Sequence, residues 1–424
     1  MKPVGIAQPI TTGIVAAIAG FASSFALVIA GLQAVGATAA EAASGLLVLC
    51  VFQGITSIAL TLRYRLPISI AWSTPGAALL IAAQATTGDY SAAIGAFLLA
   101  GVLFLITGLW PWLARTMTRI PKPIASAMLA GILFPICLAP VQAAISELWM
   151  LALPPILVWL VLLRLAPRWA VAGAVLATVA VVVISNWGTE LSASQLAPVL
   201  TFTLPTFDSV VLIGLGIPLY IVTMAGQNIP GFAVLSTFGF DNPPARAILA
   251  GSGIATMAGS FFGGYTLNLS ALTAAMMAGP DAHPDRSRRW IATVTSGSTY
   301  IVLGLGAGLA TTLVSVSPPI LITAVAGLAL LGAFASAVTT SLEVPEHRIV
   351  AVVTFLVVAA GLPIAGIGSA LWGLVVGGIV MLWTSTGALE LRAKAISGLR
   401  RRAGHARASA DRRLGGRSTR ARRP

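Results

Sequence analysis

The residues of this sequence that could bind a solute lie where a membrane-spanning helix should be featureless. Ser73, Thr74 and Gly76 stand in "ISIAWSTPGAALL" (68–80), and Asn268, Leu269 and Ser270 in "GGYTLNLSALT" (263–273). Ser73 or Thr74 suits a helix N-cap. Pro75 suits the first turn, where its missing N–H costs nothing. In the second stretch Ser270 can cap a short helix running through Ala278 and ending at Gly279-Pro280. A helix start carries N–H groups without intrahelical partners and a partial positive charge. Two such starts facing each other would bind an anion without any basic side chain. The alternative is that each residue caps or kinks a helix and nothing more.

Other polar and aromatic residues stand near these breaks in the pattern. Gln227 and Asn228 in "AGQNIPGF" (225–232), and Gln33 in "AGLQAVG" (30–36), are amides inside apolar runs. They need partners there, supplied by a solute or by a neighbouring helix. Phe25, Trp72 and Tyr265 could stack on an aromatic ring, or could pack the interior. Asp281, His283 and Asp285 suit a capping and orienting role in a loop, or a part in proton movement or gating. No nucleotide-binding loop, metal-ligand cluster or nucleophile–base pair occurs in the apolar runs, so no cofactor, no metal and no enzymatic activity is expected.

These residues need a membrane scaffold. The chain has 424 residues, 57% hydrophobic and 9% charged, with a mean hydropathy of +0.95. That composition points to an all-α polytopic membrane protein, since a soluble chain could not hide so much apolar surface. Short alternating segments of a membrane β-barrel are absent. Cys50 and Cys137 lie in separate apolar runs, which argues against a disulfide framework. The first apolar run lacks a cleavage pattern and is expected to stay as a span.

Fourteen spans are expected, at 11–34, 44–61, 67–87, 92–110, 123–140, 149–163, 169–186, 209–227, 246–262, 264–279, 290–313, 318–337, 348–362 and 369–388. With the N-terminus in the cytoplasm, Arg63, Arg65, Arg115, Arg119, Lys122, Arg164, Arg168, Arg246, Arg286, Arg288, Arg289 and Arg348 all fall inside. Glu41, Asp89, Glu147, Glu190 and Asp208 fall outside. The positive-inside bias therefore predicts both termini in the cytoplasm. Residues 1–10 form a cytoplasmic N-terminus. Residues 389–424 form a basic tail expected to be disordered and to touch anionic lipid. No aromatic residue interleaves with its charges, so nucleic acid is not an expected partner.

Seven spans per half require the halves to be inverted: spans 1–7 over 11–200, and spans 8–14 over 201–388. The two helix starts fall in spans 3 and 10. Residues 68–72 favour an extended conformation. Five extended residues cover roughly 16 Å, and a helix from Pro75 to Thr86 roughly 18 Å, which together match a hydrocarbon core of about 30 Å. Each span can thus cross as a short strand followed by a half-helix. The two strands could pair, satisfying backbone groups that lipid cannot.

The segments "ISIAWSTPGAALL", "AGQNIPGF" and "GGYTLNLSALTAAMMAGPDAHPDRSRRW" (263–290) resemble the benzoate transporter family of proton-coupled aromatic-acid symporters, and the likeness runs from about residue 10 to 388. That resemblance implies a fold related to the uracil and xanthine permeases. It implies a core of spans 1–4 and 8–11 and a gate of spans 5–7 and 12–14. It also implies that an aromatic carboxylate, benzoate, is imported with protons by alternating access. Its carboxylate would lie at the half-helix starts, contacted by Ser73, Thr74, Gly76, Asn268, Leu269, Ser270, Gln227 and Asn228, with Gln33, Phe25 and Tyr265 nearby. An inner membrane of bacterial type and a homodimer are implied too, although no dimer face stands out. The related permeases carry acids on spans 8 and 10. Here those regions hold Gln227, Asn228 and Asn268. A buried carboxylate would repel an anionic solute, so the departure suits one, and it leaves the proton carrier unassigned. A same-fold carrier of a nucleobase or an inorganic anion is the alternative.

Overall fold

The computed structural model describes residues 5–84, 89–110, 121–185, 199–362, 364 and 368–384. The basic tail lies outside the described residues. In chain order the helices are α1 (Ala7–Ala34), α2 (Ala39–Tyr64), α3 (Thr74–Ala82), α4 (Tyr90–Leu109), α5 (Lys122–Ala144), α6 (Trp149–Leu165) and α7 (Ala170–Ser185). They continue with α8 (Ser209–Thr237), α9 (Ala245–Ser260), α10 (Leu272–Ala278), α11 (Trp290–Gly304), α12 (Ala307–Ser315), α13 (Pro319–Ser341), α14 (Arg348–Ala359) and α15 (Ser369–Thr384). Two strands interrupt them: β1 (Ile70–Trp72) before α3 and β2 (Leu267–Leu269) before α10.

Among the described residues, six helices are long and apolar enough to cross a membrane: α1, α2, α4, α5, α8 and α13. The pair α11 and α12, bent by 57° at Leu305-Gly306, makes a seventh, and α6, α7 and α15 are shorter apolar helices. The protein is a multi-pass membrane protein.

Capping sets several boundaries. Thr38 and Glu41 form a reciprocal capping box, so α2 begins at Ala39, ahead of the expected residue 44. At its other end Arg65 adopts a left-handed conformation, and its guanidinium lies 4.4 Å from the centre of the Trp290 ring. Helix α8 runs ten residues beyond the expected stop at 227. Pro230 does not end it, because an i→i+5 segment over Met224–Asn228 precedes the proline and reroutes the backbone. The same device, Leu212–Gly216, precedes Pro218.

Close backbone packing fixes the helices around the strands. A Cβ at Gly54 of α2 would stand 2.6 Å from the Gly297 carbonyl oxygen of α11, and one at Gly297 would stand 2.9 Å from the Gly54 oxygen. Gly253 of α9 and Gly101 of α4 face each other likewise, at 2.7 and 3.1 Å. Such small-residue contacts let membrane helices approach without a hydrophobic driving force between them. Gly263, at φ +89°, turns the chain from α9 towards β2 in a conformation that favours glycine.

Candidate functional site

Strands β1 and β2 pair antiparallel, with Ile70 opposite Leu269, Ala71 opposite Asn268 and Trp72 opposite Leu267. Two further backbone bonds extend the ladder: Ser73 N donates to Thr266 O at 3.0 Å, and Ser270 N donates to Ser69 O at 2.9 Å. Helices α3 and α10 leave opposite ends of this ladder. The short paired ladder thus joins the two helix starts, one at each of its ends.

A two-stranded sheet has two open edges, and in a membrane interior each open amide would be costly. Side chains from neighbouring helices close them. On β1, Ile70 N donates to Ser57 Oγ at 2.9 Å and Trp72 N to Gln53 Oε1 at 3.0 Å, both from α2. On β2, Leu267 N donates to Thr256 Oγ1 of α9 at 3.0 Å, and Leu269 N to Asn228 Oδ1 of α8 at 2.9 Å. All four side chains are buried. The i→i+5 segment of α8 ends on Asn228, which carries its carboxamide to the strand edge.

Helix α3 starts as its sequence predicts. Ser73 is the N-cap; its Oγ accepts from Gly76 N at 3.0 Å, and Pro75 sits in the first turn. Thr223 of α8 donates to the same oxygen at 2.8 Å and lies 3.2 Å from the Thr266 hydroxyl, so hydroxyls bridge three elements beneath the cap. Thr74 is half-buried, while Gly76 is buried. Gly76 admits no side chain, since a Cβ would come 2.9 Å from Leu219 Cδ1 and from the Ser73 side chain.

Helix α10 begins one residue later than expected. Ala271 is its N-cap and makes no side-chain bond. Ser270 still contributes, because its Oγ accepts from Thr273 N at 3.3 Å, and the Thr273 hydroxyl lies 2.8 Å from Ser69 Oγ. Asn268 is fully buried. Its Nδ2 donates to Leu269 O at 3.1 Å, while its Oδ1 meets no partner. Leu269 is fully buried in the sheet.

The remaining predicted residues divide. Gln227 is half-buried on α8, one position from Asn228. Phe25 stacks on Phe21 at 5.2 Å, and Phe21 meets Trp72 edge-on at 6.2 Å, so the aromatic side of α1 does reach the break. Trp72 is anchored by Nε1 donating to Ser24 Oγ at 3.0 Å. Phe25 also lines a small apolar cavity with Val175 and Val182 of α7 and Ile322 of α13. Tyr265 is fully buried and packs on Phe97 of α4 at 6.2 Å. Gln33 lies away from the break. Ser24 is the α1 residue level with Trp72, and Gln33 is nine positions further on, roughly 13 Å along the helix. The resemblance between "AGLQAVG" and "AGQNIPG" therefore does not put its glutamine at the level of Gln227.

Sequence reasoning missed Ser24, Gln53, Ser57, Thr223, Thr256 and Thr266. For Gln53, Ser57 and Thr256 the signal is a four-residue spacing of polar groups in apolar helices, Gln53-Ser57-Thr61 on α2 and Ser252-Thr256-Ser260 on α9. Among the described residues, acids lie at helix ends and in loops, and no group of His, Cys, Asp and Glu could hold a metal ion. The arrangement offers amide and hydroxyl donors beside aromatic and aliphatic surface.

A model of the family described as benzoate membrane transport protein matches residues 6–382. The Escherichia coli (strain K12) inner membrane protein YdcO is 37% identical over 369 residues, covering 87% of this chain and 93% of that protein. A benzoate membrane transport protein of Acinetobacter baylyi (strain ATCC 33305 / BD413 / ADP1) is 31% identical over 323 residues, 76% of this chain and 81% of the relative. Among solved structures, the transmembrane domain of the cyanobacterial bicarbonate transporter BicA matches with a TM-score of 0.56 at 18% identity, covering 88% of this chain and 97% of that one. SLC26A9 matches with a TM-score of 0.57 at 13% identity, covering 90% of this chain and 66% of that one. At such identities these structures are alike in fold.

Proposed function

The chain belongs to the benzoate membrane transport protein family, and on that premise we propose that it imports an aromatic carboxylate, benzoate, with protons by alternating access. It is a transporter and not an enzyme. The carboxylate binds at the facing starts of α3 and α10, bordered by Ser73, Thr74, Gly76, Asn268, Leu269 and Ser270. The observation that carries this is the antiparallel β1–β2 pair, from whose opposite ends the two helices depart. Gln227 and Asn228 border the site from α8, and Phe25 borders it from α1. Tyr265 and Gln33 stand further out.

Fourteen spans in two inverted halves fit the same elements. Glycine contacts support the inversion: α2 meets α11 through Gly54 and Gly297, as α9 meets α4 through Gly253 and Gly101. Spans 2 and 9 are counterparts under that inversion, and so are 4 and 11. The polar ladders agree, since Ser57 and Thr256 each close a strand edge from corresponding positions. The core is then spans 1–4 and 8–11, the gate is spans 5–7 and 12–14, and both termini face the cytoplasm. The bilayer is an inner membrane.

The test is uptake of labelled benzoate into proteoliposomes under an imposed inward proton gradient, competed by unlabelled uracil, xanthine, sulfate and substituted benzoates. Gradient-driven uptake blocked only by aromatic acids is expected. Uptake indifferent to the gradient would remove the proton coupling. Competition by a nucleobase or by sulfate alone would keep the helix-start site and change its solute.

A further inference from the structure

The loop from Gly279 to Arg289 joins α10 to α11 and stands outside the site. One residue organises it. Arg289 is only 6% exposed, and its guanidinium donates to three backbone carbonyls: Nη1 to Ala278 O at 2.6 Å, Nε to His283 O at 2.8 Å and Nη2 to Pro284 O at 3.5 Å. Its neighbour Arg288 differs, being half exposed and paired with Asp285 at 3.8 Å.

Ala278 is the last residue of α10. The final carbonyls of a helix have no intrahelical donors and carry its negative end, so a cation there is doubly favourable. A guanidinium suits the place, because its rigid fork can hold several carbonyls at once. Two turns of helix do not persist alone. Packing against α1 and α8 holds the sides of α10, and its two ends are fixed by the β2 pairing on one side and by Arg289 on the other.

The same loop is tied to two other elements. Gln8 and Thr12 of α1 donate to Asp281 O at 2.9 and 3.2 Å. Arg286 donates to Gly239 O just beyond α8 and lies 5.1 Å from the centre of the Phe240 ring. The ends of α1, α8 and α10 nearest this loop are thereby joined through it.

We propose that Arg289 is a positioning residue for transport: it holds the far end of α10 and so sets where the Ser270–Thr273 helix start stands opposite Ser73–Gly76, without touching the solute. The inference rests on the reading that the solute binds at those helix starts.

The experiment compares the full-length chain with Arg289→Gln, Arg289→Lys and, as a control on an exposed cation, Arg288→Gln. Two quantities are measured. Hydrogen exchange over 272–279 is followed in lipid nanodiscs without solute, and KM and maximal rate for labelled benzoate are followed in proteoliposomes. Losing charge-assisted bonds to a buried helix end should speed exchange over 272–279 by about tenfold or more in Arg289→Gln and leave α4 unchanged. KM should rise by about tenfold with it. Arg289→Lys, which keeps the charge and loses the fork, should fall between wild type and Arg289→Gln in both. It also stands in for Arg289→Gln if that variant does not insert. Arg288→Gln should change neither quantity. Unchanged exchange over 272–279 would overturn the clamp. Loosened exchange with an unchanged KM would overturn its role in positioning the site. Exchange is read without solute, so absence of benzoate uptake by the wild-type chain would remove the substrate assignment while exchange still decides the clamp.

Discussion

The Asn228 carboxamide of α8 accepts the Leu269 amide of β2 at 2.9 Å, closing a strand edge that would otherwise open into the membrane interior. Gln53 does the same for Trp72 on the other strand, at 3.0 Å. Both side chains are fully buried. Asn228 therefore has a structural duty whatever it does for a solute.

From that duty follows a separation between neighbours. Asn228→Leu leaves a buried N–H unpaired, which costs about 1–3 kcal/mol. Its thermal unfolding midpoint in detergent should fall measurably, and Gln53→Leu should behave alike. Gln227→Ala removes a half-buried amide with no such bond, so it should keep the midpoint and raise KM for benzoate. A midpoint unchanged in Asn228→Leu would mean that water or another donor replaces the carboxamide.

The helix starts allow a sharper test. Thr74→Leu and Ser270→Leu place branched carbon where a carboxylate is expected to sit, and both should abolish uptake while leaving insertion into the membrane intact. Ser73→Ala removes a cap bonded to Gly76 and Thr223, at a cost of about 1 kcal/mol in stability. Its uptake should fall together with its stability. Full uptake in both leucine variants would put the site elsewhere.

Much of this was legible in the sequence, and the limits have physical causes. Pro75 after two hydroxyl residues marked the start of α3, because proline and N-cap preferences are local. Ser270 marked α10 to within one residue for the same reason. The partners of the strand edges were not found. They lie on helices distant in the chain, and a polar residue repeating every fourth position looks the same whether it meets a strand, a helix or water. A short sequence echo places Gln33 at the site, whereas level along a helix is set by packing: Gly31 rests on the Ala77 carbonyl, where a Cβ would come within 2.8 Å, and that contact carries Gln33 past the break. In the sequence Arg289 reads only as one of several cations expected in a cytoplasmic loop. Sequence shows a cation there, but not that its guanidinium turns back onto Ala278.

The basic tail predicts a negative result. It carries twelve Lys and Arg residues from Arg392 onward, with Asp411 as the one acid. Such a segment binds anionic lipid through a screened surface potential. Deleting residues 396–424 should preserve benzoate uptake. Binding of the isolated tail peptide to vesicles containing anionic lipid should weaken as salt rises. Loss of uptake on deletion would assign the tail a part in transport itself.

The paired glycines give the strongest test of the inverted design. Gly54 and Gly253 occupy matching positions in "QGITS" and "SGIAT", each packed on a glycine of the partner helix. Any side chain at either would meet backbone within 3 Å, and backbone cannot swing aside as a flexible side chain can. Overpacking of this kind costs about 1–3 kcal/mol and more where the clash is with backbone. Gly54→Leu and Gly253→Leu should therefore lower the unfolding midpoint alike, and both should abolish uptake. Gly251, on the same helix as Gly253, is the control: a Cβ there would meet nothing nearer than Leu60 Cδ1 at 3.7 Å. Gly251→Ala should be tolerated, or slightly stabilising through the helix preference for alanine. If Gly54→Leu were destructive and Gly253→Leu harmless, the two halves would not share one packing plan, and the inversion would lose its support in the glycine contacts.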